Sequence, residues 1–199
     1  DLPGVHRCVF PVSRLVVDPE RFIDDPMESV GMGVVYTHTA NGEALRAISG
    51  IDRLALINTY YHTHHTALTR MADECLEQHG QCLIIDCHSF PAQPLPYESD
   101  MNRPDICIGT DSYHTRTELK NCLLKAFEAS GYRVTIDSPF SGSIVPFKHY
   151  HKDKRVASVM IEVNRSLYAD PSGFKRVQSD LTHAISQAAT IGPFDNLGE

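Results

Sequence analysis

Two hydrophobic periodicities alternate along this chain. Apolar runs typical of buried strands occur in "CLIIDCHSF", "DICIGT", "YRVTIDSPF" and "RVASVMIEVNRSLY". Apolar residues three or four positions apart, which indicate helices, form stripes at Ile51–His79, at Leu119–Phe127 and at Phe174–Ala188. Strand and helix patterns in alternation predict an α/β fold, with three layers and a mostly parallel mixed sheet.

Glycines, possible capping residues and a Pro-rich segment indicate where the predicted elements begin and end. Gly80 and Gly131 mark the ends of the first two helices, and Thr115 with Glu118 forms a possible capping box before the second. Two β-rich segments, "CVFPVSRLVVD" and "GVVYTHT", precede the first helix and are predicted to be extended. The Pro-rich segment 91–104 is too long for a simple connector, and such loops often carry function.

Length and charge exclude several classes of protein. A chain of 199 residues suits one domain, residues 1–199, and no apolar run approaches the ~18 residues that a membrane span needs. A net charge of −7 with scattered Lys and Arg argues against a nucleic-acid surface. The six cysteines contain no CxxC pair, so we expect reduced thiols and a cytoplasmic protein. Nothing in the sequence fixes an oligomeric state.

Chemically versatile residues follow two of the predicted strands. Asp86 to Ser89 end one strand, and the carboxyl ends of strands form the ligand crevice of open α/β sheets. His88 alone is more often a core histidine than a ligand, but Asp86 could fix its tautomer. Glu162 ends another apolar run, so it must be solvated, paired with Arg165 or a neighbour, or near a metal. A structural ion pair is as good an interpretation as a functional one.

Histidines and arginines supply the remaining candidates. His62 and His65 have the i, i+3 spacing of one helix face, where they could bind a metal or a substrate acid, or extend the apolar stripe with hydrogen-bonded edges. Arg14, Arg21 and Arg165 follow or end extended segments and could bind carboxylates, with exposed salt bridges as the alternative.

Six motifs in order give the chain a family resemblance. They are "VSRLVVDPERF", "YHTHHTAL", "DCHSFP", "DICIGT", "SPFSGS" and "EVNRSLY", and they cover nearly the whole length. The chain resembles the N-formylglutamate amidohydrolases, relatives of the zinc carboxypeptidases and of the succinylglutamate and aspartoacyl deacylases. The resemblance implies a phosphorylase/hydrolase-like α/β fold, one bound zinc ion, and cleavage of formate from N-formyl-L-glutamate in histidine degradation.

The resemblance also implies roles for individual residues. His88 resembles a metal-binding histidine, Glu162 the catalytic carboxylate, and the segment of Arg14 and Arg21 a source of substrate-binding arginine. The full set of substrate-binding candidates is Arg14, Arg21, Arg165, His62 and His65. The expected partner is a small acidic N-acyl amino acid.

The chain departs from the family pattern in two places. Glu20 stands where the family often has Asn before the arginine. The family's opening Pro-His-Ser-type strand, which supplies the first metal ligand, and the acidic ligand after it are not found. We therefore expect the domain to lack this N-terminal strand and metal-ligand segment. The alternatives are an amidase for another N-acyl amino acid or a peptidoglycan-derived peptide, and a degenerate domain that only binds.

Overall fold

The computed structural model describes residues 4–96 and 103–191, which form two compact units. The N-terminal unit consists chiefly of Val5–Asp73, and the sheet unit consists chiefly of Glu74–Pro94 and residues 103–191. The prediction of one domain over residues 1–199 stays a prediction. Part of the Pro-rich loop, residues 97–102, lies outside the described residues.

Four strands and four helices make up the regular structure of the described residues. The strands are β1 (Cys82–Phe90), β2 (Ile106–Gly109), β3 (Val134–Ile136) and β4 (Val156–Asn164). The helices are α1 (Gly50–Leu56), α2 (His62–His79), α3 (Thr117–Ala129) and α4 (Pro171–Ala189). Short 3-10 helices occupy Pro26–Val30 and Arg165–Tyr168, and a π-helical stretch occupies Ile57–Tyr61.

The sheet has the strand order β1-β4-β2-β3. β1 pairs with β4 and β2 pairs with β3 in parallel, while β2 and β4 are antiparallel. The predicted fold class, α/β with a mostly parallel mixed sheet, is therefore confirmed. β4 lies between β1 and β2, and all nine of its residues are buried.

One face of the sheet forms the core of this unit. Alternate side chains of a strand point to opposite faces. Ile106 and Ile108 of β2 and Val159, Ile161 and Val163 of β4 share a buried apolar cluster with α3 and α4. The helices contribute Leu119, Leu123, Ala126, Phe127, Ala184 and Ala188 to it. The apolar stripes that predict these helices therefore mark their sheet-facing sides, although Phe174 of α4 is half exposed.

The boundaries of α3 confirm one predicted signal and contradict another. Gly131 takes a left-handed conformation with φ of 82° just after the helix, as its predicted stop requires. The capping box is wrong, because α3 begins at Thr117 and its N-cap residue, Arg116, makes no side-chain cap. The Thr115 hydroxyl is already used, donating to the Ser158 carbonyl at 2.6 Å and accepting from the Asp111 amide.

The long helix predicted from Ile51 to His79 is confirmed. α1, the π-helical stretch and α2 follow one another from Gly50 to His79, and Gly80 follows with φ of 73°. Ile57 and Tyr61 from the π-helical stretch pack against Val17, Val34 and Val35 in the core of the N-terminal unit. None of the described helices is long and apolar enough to cross a membrane. The six cysteines are free thiols.

The two β-rich segments of the N-terminal unit do not form a ladder. Apart from an isolated bridge between His38 and Ala44, the described residues 8–18 and 33–39 are turns and irregular backbone. Arg46 explains part of this difference, because its guanidinium donates to the carbonyls of Leu15, Val16 and Tyr36. A side chain thus satisfies carbonyls that a neighbouring strand would otherwise bind.

A crossing segment, residues 140–145, runs over the second face of the sheet. The Phe140 carbonyl accepts from the Cys107 thiol of β2 at 3.2 Å, and the Gly142 amide donates to the Thr110 carbonyl. Further along, the Ile144 carbonyl accepts from the Ser158 hydroxyl of β4 at 2.7 Å. Gly109 makes room for this path, because a Cβ there would lie 2.5 Å from the Gly142 carbonyl oxygen and 2.3 Å from Met160 Cε.

We expect Gly109→Ala to destabilise the protein by about 1–3 kcal/mol, because its methyl group must displace the crossing segment or Met160. Urea unfolding followed by circular dichroism measures the loss. Gly50→Ala is the matched control, since a Cβ at Gly50 meets nothing within 4 Å. Equal stability of the two variants would contradict the close approach.

Candidate active site

His88 and Glu162 lie side by side on neighbouring strands. They are register partners in the parallel pair of β1 and β4. Partners in register share a face, and neighbouring strands are about 4.8 Å apart. Cys107 of β2 is the partner of Glu162 on its other side. An imidazole, a carboxylate and a thiol therefore follow one another across three strands, on the face opposite the helix-covered core.

Asp86 orients the imidazole of His88. His88 Nε2 donates to Asp86 Oδ1 at 2.7 Å, and Asp86 is only 8% exposed. A carboxylate accepts here, so Nε2 carries a proton, and in the neutral form of the ring the lone pair is on Nδ1. The pair has the arrangement of a metal-binding histidine with its outer carboxylate partner.

The crossing segment holds Asp86 in turn. The Ile144 amide donates to Asp86 Oδ2 at 3.1 Å, so the two carboxylate oxygens bind two different donors. Ser158, which is fully buried, binds the other side of the segment through the Ile144 carbonyl and the Ser143 hydroxyl. The orientation of His88 thus depends on residues of β1, β4 and the crossing segment.

Glu162 is a buried carboxylate, with 8% exposure. Burial raises the pKa of the Cys107 thiol, and nearby Glu162 adds to this rise, while hydrogen bonds to Phe140, Thr135 and Ser138 oppose it. The net shift is upward, so we treat Cys107 as a neutral neighbour. The sequence left a Glu162–Arg165 ion pair open, and the structure does not form it. Arg165 instead donates from Nε to the Ser89 hydroxyl at 3.2 Å and from Nη2 to the Ser89 carbonyl at 3.0 Å.

Sequence reasoning missed one arginine of the sheet unit. Arg103 is 6% exposed, and its guanidinium carbon lies 5.6 Å from the centre of the Phe90 ring and 5.7 Å from that of Phe140. The residues that the sequence suggests lie at the ends of extended segments or on the helix of His62 and His65, whereas Arg103 comes before a strand. Its position in "NRPDICIG", next to a Pro and directly ahead of a fully buried strand, was the available signal.

The structure brings Arg14 and Arg21 together around one carboxylate in the N-terminal unit. Arg14 Nη2 lies 2.6 Å and Arg21 Nε 3.7 Å from Asp18 Oδ2, which also accepts from the Tyr36 hydroxyl. Asp18 is 1% exposed. Both arginines are therefore ion-paired already, and substrate binding by them stays a prediction.

His62 and His65 do not share an environment. His65 is buried, its ring centre lies 4.3 Å from that of Tyr61, and its Nε2 donates to the Pro19 carbonyl at 2.9 Å, while His62 is exposed. Burial lowers the pKa of His65 to about 4. This geometry favours the interpretation of His65 as part of the apolar stripe with a hydrogen-bonded edge, rather than as a substrate ligand beside His62.

We expect His65 to make the protein less stable in acid. In the unfolded chain its pKa is about 6.5, so the unfolded state takes up a proton before the folded state does. The stabilising effect is complete above about pH 6.5 and declines by up to about 3 kcal/mol as the pH falls towards 4. His65→Gln, which keeps a donor for the Pro19 carbonyl, should lose less stability between pH 7 and pH 4.5.

Urea unfolding at the two pH values measures this difference. The control is His79→Gln, at an exposed position at the end of the same helix. If His65→Gln and His79→Gln lose stability by the same amount as the unmodified chain, His65 is not the acid-sensitive group.

The fold is that of an α/β protein with a mostly parallel mixed sheet. A family model described as N-formylglutamate amidohydrolase matches residues 3–169, and the chain belongs to that family. As a member of it, the chain is a hydrolase that acts on an amide bond. No curated protein matches the sequence significantly.

Two solved structures share the fold. The crystal structure of N-formylglutamate amidohydrolase from Ralstonia eutropha JMP134 has a TM-score of 0.76 and 21% identity, over 89% of this chain and 74% of that one. Gene product Atu2144 from Agrobacterium tumefaciens has a TM-score of 0.67 and 18% identity, over 89% of this chain and 68% of that one. At these identities the similarity supports the fold.

Proposed function

We propose that this protein hydrolyses the formyl amide of N-formyl-L-glutamate to formate and L-glutamate, as a step of histidine degradation. One observation supports this most strongly. In a chain of this family, His88 and Glu162 are register partners on one face of the sheet, and Asp86 orients the histidine. A carboxylate next to an oriented imidazole suits the activation of water for attack on an amide.

Glu162 is the proposed general base. Its carboxylate takes a proton from the water that attacks the formyl carbon, and passes that proton to the amine nitrogen as the carbon–nitrogen bond breaks. The water oxygen ends in formate, and the nitrogen leaves as the amino group of glutamate. Burial of Glu162 keeps bulk water from competing for this proton.

His88 is the proposed ligand for zinc. The fit rests on the Asp86–Nε2 hydrogen bond, which leaves Nδ1 as the nitrogen with the lone pair. When bound, zinc supplies Lewis acidity and lowers the pKa of water towards ~7. A zinc site needs three or more protein ligands, and His88 is the one that we assign in the sheet unit.

Formate release from N-formyl-L-glutamate by the purified full-length protein tests the proposed function. Glu162→Gln should lower kcat by about 100- to 10,000-fold and change KM little, because the amide keeps the shape of the side chain but cannot accept the proton. Glu118→Gln, at an exposed position on α3, is the control and should keep full activity.

Two results would contradict the proposal. Near-normal turnover by Glu162→Gln would show that Glu162 is not the general base. The unmodified protein could instead release no formate but remove another acyl group from a panel of N-acyl amino acids. That result would show a different amidase activity.

We expect Asp86→Asn to weaken zinc binding by about 10- to 100-fold. The backbone amide of Ile144 and the ring of His88 both donate to Asp86, and an asparagine offers one carbonyl oxygen for two donors. Chelator competition measures the affinity. Asp170→Asn is the control, since Asp170 caps α4 and asparagine caps helices equally well.

An unchanged zinc affinity in Asp86→Asn would contradict the role of His88. A zinc content near zero in the unmodified full-length protein, measured by mass spectrometry, would favour the binding-domain alternative over a zinc enzyme.

A further inference from the structure

Arg103 lies close to the proposed catalytic pair. Phe90 and Asn164 are register partners two residues beyond His88 and Glu162, on the same face of the sheet. Two residues along a strand span about 7 Å. The guanidinium carbon of Arg103 lies 5.6 Å from the centre of the Phe90 ring, so it lies beside the next residue pair along this face.

Asn164 fixes the backbone that carries Arg103. Its side-chain amide donates to the Pro104 carbonyl at 3.0 Å, and its backbone amide donates to the Asp105 carbonyl at 2.9 Å. The two residues that follow Arg103 are thereby tied to the carboxyl end of β4. This contact exists because β2 is antiparallel to β4, which places the amino end of β2 at that edge.

Two aromatic rings hold the guanidinium itself. Phe90 and Phe140 both lie within the 6 Å at which a cation interacts favourably with an aromatic face. Phe140 is the first residue of the crossing segment, which is anchored to β2 and β4. A guanidinium held this way loses little conformational freedom when a carboxylate binds, and its planar fork matches a carboxylate.

The substrate proposed above carries two carboxylates. Its α-carboxylate carbon is two bonds from the amide nitrogen, and its side-chain carboxylate is four bonds away. Either carboxylate can extend from the formyl amide towards the Phe90 end of the face, where Arg103 lies. Arg165, the sheet-unit arginine that the sequence suggested, donates to Ser89 and is exposed to solvent.

We propose that Arg103 binds one carboxylate of the substrate and so determines the preference for an acidic N-formyl amino acid. This inference rests on the proposed function. It adds a substrate-binding residue, positioned by Phe90, Phe140 and Asn164, to the site of His88 and Glu162.

Steady-state kinetics on three substrates test the role. They are N-formyl-L-glutamate, N-formyl-L-glutamine, which lacks the side-chain carboxylate, and the 1-amide of N-formyl-L-glutamate, which lacks the α-carboxylate. Arg103→Met should lower kcat/KM for N-formyl-L-glutamate by about 10- to 100-fold, chiefly through KM. It should have little effect on whichever amide lacks the carboxylate that Arg103 binds.

Two further variants separate binding from structure. Arg103→Lys keeps the charge but not the planar fork, so it should recover only part of the loss. Arg176→Met is the matched control, because Arg176 also lies over an aromatic ring, 4.9 Å from the centre of Tyr132, but on the exposed side of α4. It should keep the kinetics of the unmodified protein. Thermal unfolding of each variant shows which ones remain folded.

Binding of glutarate, followed by calorimetry, separates this inference from the proposed function. If the protein binds glutarate but releases no formate, the deformylase proposal fails, and loss of glutarate binding in folded Arg103→Met still supports a carboxylate site. An equal loss of kcat/KM on all three substrates, no loss on any, or no glutarate binding by the unmodified protein would overturn the role of Arg103.

Discussion

The backbone ladder between β1 and β4 is the constraint on which the candidate site depends. Its register places His88 beside Glu162, and it also determines which side chains of the two strands point to the same face of the sheet. Ile161 and Val163, the neighbours of Glu162 along β4, point into the core under α3 and α4, so Glu162 must point to the opposite face. Apolar burial on one side of the sheet thus fixes the position of the polar groups on the other side.

Burying Asp86 and Glu162 on that face has an energetic cost, which the surrounding hydrogen bonds offset in part. Asp86 receives the Ile144 amide and the His88 ring, and the crossing segment that supplies the amide is itself bound by Ser158 and Cys107. Such an arrangement favours one orientation of the imidazole before any ligand arrives. The catalytic roles that we propose use this fixed geometry, and they require no rearrangement of the strands.

The sequence predicted the sheet unit better than the N-terminal unit, and the reason is physical. The strands and helices of the sheet unit bury regular apolar stripes, so the hydrophobic periodicity of the sequence predicts them. The helix stop at Gly131 could also be predicted, because it depends only on the left-handed φ angle of that one residue. Residues 8–18 and 33–39 have the composition of strands, but Arg46 binds their carbonyls from a distance in sequence. The Thr115 capping box failed for a similar reason, since a distant carbonyl at Ser158 binds the hydroxyl.

The candidate site could likewise be predicted from the sequence only in part. The pairing of His88 with Glu162 could be predicted because both lie near the carboxyl ends of strands that prove to be parallel neighbours. The place of Arg103 beside this pair could not be predicted from periodicity, because it depends on the direction of β2.

The ladder also has an evolutionary consequence. Point substitutions on either face of β1 leave the other residues where they are, but a single-residue insertion or deletion between Cys82 and His88 would shift every later side chain of β1 to the opposite face. His88 would then face α3 and α4. Length variation among descendants of this chain should therefore collect in its connections, while these two strands keep a constant length.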